Sequence, residues 1–404
     1  MEQADIDNEL FLMFDGTKKR QKDLVIGDIL MSDDSTPCSI LYIVPIYEET
    51  YVIKPTKGES FIVGESHTLS LNFSGALCCS WSNALNTYTV KWFNYDKLKY
   101  NQKTFSVYKY ETKENAYEEV INFKNSLQSI DFFDVIVRKF VKLVKSLQKQ
   151  CKIYKTLLIF PYTDIEFDPY VIGYWLGDGT SCRSEITTAD PEIVEYFTEY
   201  FKQFNLYLKP NPTKPITYRI SSGKKGRNYK GKNRFLEYLQ EKDLIDNKHI
   251  PLELIHTSRE NRLRLLAGLI DSDGSLSSNC YDFVQKRENL LDDVVYLCRS
   301  LGFACYKKEC EKTCTNGANG PVTGTYYRIA ISGEGLEEIP CLLERKQATS
   351  RKQIKDVLVV GMKVTKLDNP LQTYRIMTDK PRFLMADLTV RCSYKRNIAD
   401  CENI

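Results

Sequence analysis

The sequence predicts two related α/β units in tandem, inserted into an all-β domain. Three observations predict this. An apolar run of small residues ending in Asp-Gly occurs twice. After each copy, helix-like and strand-like periods follow in the same order. Before and after this repeat, short apolar strands alternate with turns. A chain of 404 residues, 42% hydrophobic and 27% charged, has room for two or three globular domains.

The elements follow in chain order. Residues 1–160 open with LFLMFDGTKKRQKDLVIGDILMSDD, SILYIVPIYEETYVIKP and ESFIVGESHTLSL, which read as short strands separated by turns; His67 lies in the last. Residues 87–110 interleave Lys with Trp, Phe and Tyr, a pattern shared by half-buried strands and nucleic-acid contacts. Residues 132–150, FFDVIVRKFVKLVKSLQKQ, read as a helix with one apolar and one basic face. The repeat occupies residues 165–355, with units of about 165–255 and 256–355. In the first, YVIGYWLGDGT leads to SEITTA, a helical stretch and TYRIS. In the second, RLLAGLIDSDGSL leads to YDFVQ, a helical stretch and YYRIAIS, with CTNGANGPVTGT as an inserted hairpin loop. Residues 356–393 return to strand and turn, and 394–404 form a tail.

The repeat carries the chemistry. Asp178 and Asp273 are 95 residues apart, each at the C-terminus of a small-residue helix. A helix C-terminus already carries partial negative charge, so an acid there calls for a cation. Paired small residues, Gly173 against Gly268, would let the two helices touch and bring the acids together. Two adjacent carboxylates suit Mg2+, and metal-assisted phosphodiester hydrolysis is the reaction they support. Lys248 and Lys346 follow the acids by 70 and 73 residues, and could stabilise a transition state or orient water. Asp271 is read as a local hydrogen-bonding acid. The alternative for either motif alone is a helix-packing seam with solvated terminal acids.

LAGLIDSDG (266–274) resembles, with one departure, the sequence for which the LAGLIDADG homing endonucleases are named. VIGYWLGDG resembles their more divergent first motif, and NKHIP the lysine block between motifs. The resemblance implies a monomeric, Mg2+-dependent, site-specific double-strand DNA endonuclease built from two pseudo-symmetric αββαββα units. Asp178, Asp273, Lys248 and Lys346 would be catalytic, and Gly177 and Ser272 would join the acids at the metal. The flanks resemble an intein of the hedgehog-and-intein (Hint) fold, with VGESHTLSL as its histidine block and RFLMADLTV as its last strand. Splicing needs a first-position nucleophile and a terminal Asn. Ala4 stands at the first, and Arg391, Cys392 and Ser393 follow the last strand. His67 is therefore expected to be vestigial.

Double-stranded DNA is the expected partner, and the formal charge of +3 is too small to argue for it alone. Local clusters say more. Residues 221–235 carry Lys224, Lys225, Arg227, Lys230, Lys232 and Arg234 without an acid. Arg219, Arg328, Gln285 and Lys286 lie on or beside strands expected to face the major groove. Thirteen cysteines without an apolar leader suggest free thiols in a reducing, intracellular setting, and no stretch is long enough to span a membrane. An active splicing element and a non-cleaving maturase or regulator are the rival readings.

Overall fold

The computed structural model describes residues 3–75, 77–127, 132–222, 233–314 and 322–394. It divides into two compact units, Met1–Lys155 with Val359–Ile404, and Thr156–Leu358. Among the described residues no helix is long and apolar enough to cross a membrane.

In the first unit a six-stranded antiparallel sheet runs in the order Phe133–Ile136, Thr68–Phe73, Cys151–Tyr154, Val359–Lys366, Thr50–Pro55, Phe61–Gly64. Val359–Lys366 pairs on both sides with strands from before residue 156, so the chain segments on either side of the second unit share one sheet. Alternate residues Tyr51 and Ile53, Phe61 and Val63, Leu69 and Leu71, and Phe133 and Val135 point into one core. A second sheet places Pro37–Glu48 between Ile29–Met31 and Leu371–Thr378. A three-stranded sheet, Cys78–Ser82, Thr87–Asn94 and Lys99–Ser106, packs with helix Lys113–Ser126 around Val90, Phe105 and Val120. The Lys and aromatic residues of 87–106 are thus strand residues of a half-buried sheet.

Residues 132–150 depart from the single helix expected. They form strand Phe133–Ile136 and two short helices, Val137–Phe140 and Lys145–Gln150. The alternating, partly β-branched run Phe133-Asp134-Val135-Ile136 pairs with Thr68–Phe73, where Phe133 and Val135 find a core. Tertiary pairing overrides the helical period there.

The second unit contains two similar halves. The first comprises α1 (Pro169–Asp178), β1 (Glu185–Thr187), α2 (Pro191–Lys202), β2 (Tyr207–Asn211), β3 (Lys214–Ser221) and α3 (Arg234–Glu241), with sheet order β1-β3-β2. The second comprises α4 (Arg259–Asp273), β4 (Gly274–Ser277), β5 (Cys280–Gln285), α5 (Glu288–Ser300), β6 (Ala304–Cys314) and β7 (Val322–Ser332), with sheet order β4-β5-β7-β6. The αββαββα pattern expected of each is kept only in part. Where the second half has β4, the first has a single bridge, Gly179 to Ile186. The second half ends in 3-10 turns, Leu336–Glu338 and Glu344–Lys346, around Pro340, which cannot donate to a helix. The Gly-rich insertion at 315–321 lies outside the described residues; β6 and β7 pair on either side of it.

The halves meet at α1 and α4. Asp168 caps α1 by accepting from Tyr170 N at 2.9 Å, with Pro169 at the first turn, and Ser258 caps α4 by accepting from Asn261 N at 3.3 Å. Arg264 of α4 donates through Nε to Asp168 Oδ1 at 2.9 Å, tying the start of one helix to the other. A Cβ on Gly268 would lie 2.6 Å from Tyr174 N and closer still to Tyr170 O; one on Gly173 would collide with Leu265 O. Backbone therefore touches backbone, and only glycine allows it. Gly268→Ala is expected to push the helices apart and cost about 1–3 kcal/mol. Denaturant unfolding of the variant beside the native chain measures that loss.

Candidate active site at the paired helix ends

Because α1 and α4 cross at their glycines and both end in Asp-Gly, Asp178 and Asp273 finish side by side. A Cβ on Gly177 would strike Ser272 Oγ and lie 3.3 Å from Asp273 Oδ2, so the end of each helix abuts the other. Burial pushes the Asp178 carboxyl up to about 6, with the charge of Asp273 adding to it against Lys346 and Lys248. Asp273 is also raised by burial, while Lys248, Lys346, Gln285 and Arg287 oppose the shift. Two half-buried carboxylates, with the peptide groups of Gly177 and Ser272 beside them, form a hard-oxygen donor set that suits a divalent cation. No group of three or more His, Cys, Asp or Glu gathers anywhere among the described residues. A metal here would complete its shell with water, backbone or substrate oxygens.

The two lysines occupy matching positions. Lys248 Nζ donates to the carbonyls of Trp175 (2.8 Å), Leu176 (2.9 Å), Gly177 (3.1 Å) and Gly179 (2.7 Å), over the Trp175 ring. Lys346 Nζ donates to Ile270 (2.9 Å), Asp271 (2.7 Å) and Ser272 (3.4 Å). Each ammonium caps the C-terminus of one motif helix, satisfying carbonyls that lack intrahelical partners and balancing the dipole. Burial lowers the pKa of both, that of Lys248 to about 8.

Around this core lie residues whose place the sequence did not reveal. Asp271, read as a local hydrogen-bonding acid, instead accepts at Oδ2 from Tyr170 OH of the other motif helix (2.8 Å) and from Leu342 N (2.6 Å), partners far away in the chain that only the fold brings to it. Gln285, read as a DNA contact, donates Nε2 to Asp273 Oδ2 at 3.0 Å, its Oε1 held by Lys286 N at 2.9 Å. Arg287 reaches Ser181 Oγ of the other half at 2.7 Å, and Arg345 reaches Asp190 Oδ2 at 2.8 Å. Superimposing the strand that follows each motif would have singled out Asp190 and Arg287.

The other expected DNA contacts fall in several places. Lys224, Lys225, Arg227, Lys230 and Lys232 lie outside the described residues. Arg234 pairs instead with Glu166 and Glu241. Arg219 donates to Glu185 (2.7 Å) and Arg328 to Asp282 (2.7 Å), each across the sheet of its own half. Lys286 is exposed at the end of β5.

In the first unit, His67 Nε2 is buried without a hydrogen-bond partner, and burial, with the nearby Arg391 charge, holds its pKa well below the usual value. Arg391 pairs with Glu9 at 3.3 Å and stacks over Phe11 and Phe61. Cys392 and Ser393 are buried, and burial raises the Cys392 thiol to about 12. The cysteines whose side chains are described, Cys392 among them, are free thiols.

Residues 249–355, which include Asp273, Gln285 and Lys346, match the homing endonuclease family model. The chain is 32% identical over 149 residues to the replicative DNA helicase DnaB of Mycobacterium intracellulare, covering 37% of this chain and 21% of the helicase. It is 27% identical over 215 residues to the homothallic switching endonuclease of Saccharomyces cerevisiae, covering 44% and 37%. Among solved structures, mesophilic variants of the homing endonuclease I-DmoI match 41% of this chain and 82% of theirs, at 14% identity and TM-score 0.28. The gp41-1 intein matches 24% and 76%, at 14% identity and TM-score 0.15. The chain spans about a fifth to two fifths of the length of these curated relatives.

The raised Asp178 carboxyl makes a stability prediction. Its folded value near 6 exceeds the ordinary 3.8, so the folded chain holds this proton more tightly. That contribution is complete below about pH 4 and lost as pH rises through 6. Without metal at pH 7.5, Asp178→Asn should therefore stabilise the chain by about 1–3 kcal/mol, an advantage that vanishes by pH 4. Denaturant unfolding in EDTA at the two pH values checks the sign.

Proposed function

We propose that this chain is a site-specific double-strand DNA endonuclease dependent on Mg2+. The observation that carries the reading is the reciprocal meeting of Asp178 and Asp273 at the ends of two glycine-packed helices, each capped by a lysine. Asp178 and Asp273 would hold the metal, with Gly177 and Ser272 beside them. A bound divalent cation supplies an activated water and charge stabilisation at the leaving oxygen.

The protein's own groups do the rest. Lys248 and Lys346 fix the helix ends, so that the acids cannot retreat when the phosphate enters, and their charge offsets the growing negative charge of the transition state. Gln285 fixes the orientation of the Asp273 carboxylate. The sheets β1-β3-β2 and β4-β5-β7-β6 would lie along the major groove, with Arg219, Arg328 and Lys286 near DNA and the basic segment 223–232 along phosphates. One chain holds both halves, so a monomer would cut both strands.

The first unit is read as an intein-like β-domain into which the nuclease unit is inserted, with splicing lost. Ala4 stands where a nucleophile is needed. Arg391, at the position of a splicing histidine, is committed to Glu9, and the residue after it is Cys392 rather than asparagine. The small sheet of 78–106 would extend the DNA contact.

A randomised plasmid library, incubated with the chain in Mg2+ or EDTA, tests this. Discrete Mg2+-dependent double-strand breaks, absent with Asp273→Asn while binding persists, are the expected result. Sequence-specific binding with no cleavage of any site would instead make the chain a regulator or maturase.

A further inference from the structure

The two halves are alike in backbone, and the pairing of strands fixes which positions correspond. Gly274 pairs with Phe283 in the second half, and Gly179 with Ile186 in the first. Two residues beyond these partners stand Gln285 and Thr188, and two further stand Arg287 and Asp190. Likewise Lys248 corresponds to Lys346, and the residue before each is Asn247 or Arg345. The local fold repeats as well: Gln285 Oε1 accepts from Arg287 N at 3.5 Å, and Thr188 Oγ1 accepts from Asp190 N at 3.1 Å.

Chemically the halves are opposed. Beside Asp273 and Lys248 stand an amide donor and an arginine, whose guanidinium meets the neutral Ser181 hydroxyl. Beside Asp178 and Lys346 stand Thr188 and an aspartate, and Arg345 is spent on that aspartate. Asn247 and Arg287 together carry one positive charge, whereas Arg345 and Asp190 together carry none.

Phosphodiester cleavage builds negative charge on the phosphate, so an extra cation speeds it and an extra anion slows it. We infer that the two strands are cut in order, the half built on Gln285 and Arg287 acting first, and that the Asp190–Arg345 pair holds back the second cut. Asp190 is in this sense a positioning residue. It acts by engaging Arg345, which would otherwise be available to the phosphate. This inference rests on the endonuclease reading.

The test uses the full chain, Mg2+ and a duplex of a recovered cleavage site, labelled differently on its two strands. With the native chain, nicked duplex should accumulate with the nick always on the same strand. Asp190→Asn should raise the rate of the second cut relative to the first by about tenfold and shrink the nicked pool, the scale expected for one unit charge at a partly screened site. Arg345→Gln, which leaves Asp190 unpaired, should move the ratio the other way. A change of fold or stability alone would slow both cuts together, so the ratio separates the two. Equal native rates on the two strands, or a ratio indifferent to both substitutions, would overturn the ordering. If Asp190→Asn fails to fold, Arg345→Gln alone decides by the direction of its ratio. Failure of the native chain to cut any duplex would overturn the endonuclease reading itself, and the ordering with it.

Discussion

The contact on which the second unit depends is the backbone-to-backbone packing of α1 against α4 at Gly173 and Gly268. It is an uncomfortable arrangement by itself, because it sets two carboxylates at two helix C-termini, where partial charges are already negative. The surrounding residues answer that problem. Lys248 and Lys346 arrive from distant parts of the sequence to cap the helices, Tyr170 OH and Leu342 N donate to the buried Asp271, and Arg264 locks the far end through Asp168. What remains uncompensated is the charge on Asp178 and Asp273, and that residue of unfavourable electrostatics is what a divalent cation would relieve.

The same logic separates the two units. In the first, a buried arginine has found a buried acid: Arg391 and Glu9 neutralise each other beneath Phe11 and Phe61, and His67 is left neutral with an unpartnered Nε2. The opposite charges there are matched, while His67 Nε2 and Arg391 Nε stay without a hydrogen-bond partner. In the second, two half-buried carboxylates stand near each other at the helix ends. The two units thus differ in how completely their buried charges are matched.

Much of this was legible in the chain. The motif stretches announce both helices because small and apolar residues repeat at helical spacing and stop at Asp-Gly, and the lysines stand at nearly equal distances downstream. Less legible were features set by tertiary pairing. Residues 132–150 have a helical period, yet Phe133 and Val135 gain more by joining a sheet. The missing counterpart of β4 in the first half, and the loss of a closing helix at Pro340, are invisible to periodicity. Gln285 looked like a base-reading residue on a strand; its target, Asp273, is 12 residues back in the chain and known only from the fold. Arg219 and Arg328, read as strand residues facing the major groove, also pair across their own sheets with Glu185 and Asp282, contacts that spacing does not show.

The central claim is that Asp178 and Asp273 feel each other's charge. Carbon-13 NMR titration of the Asp178 carboxyl in metal-free protein, with and without Asp273→Asn, measures this directly. The account predicts a value near 6 in the native chain that falls when Asp273 is neutralised, yet stays above 3.8 because burial persists. An Asp178 titration unmoved by the substitution would show that the helices do not join the two acids into one site.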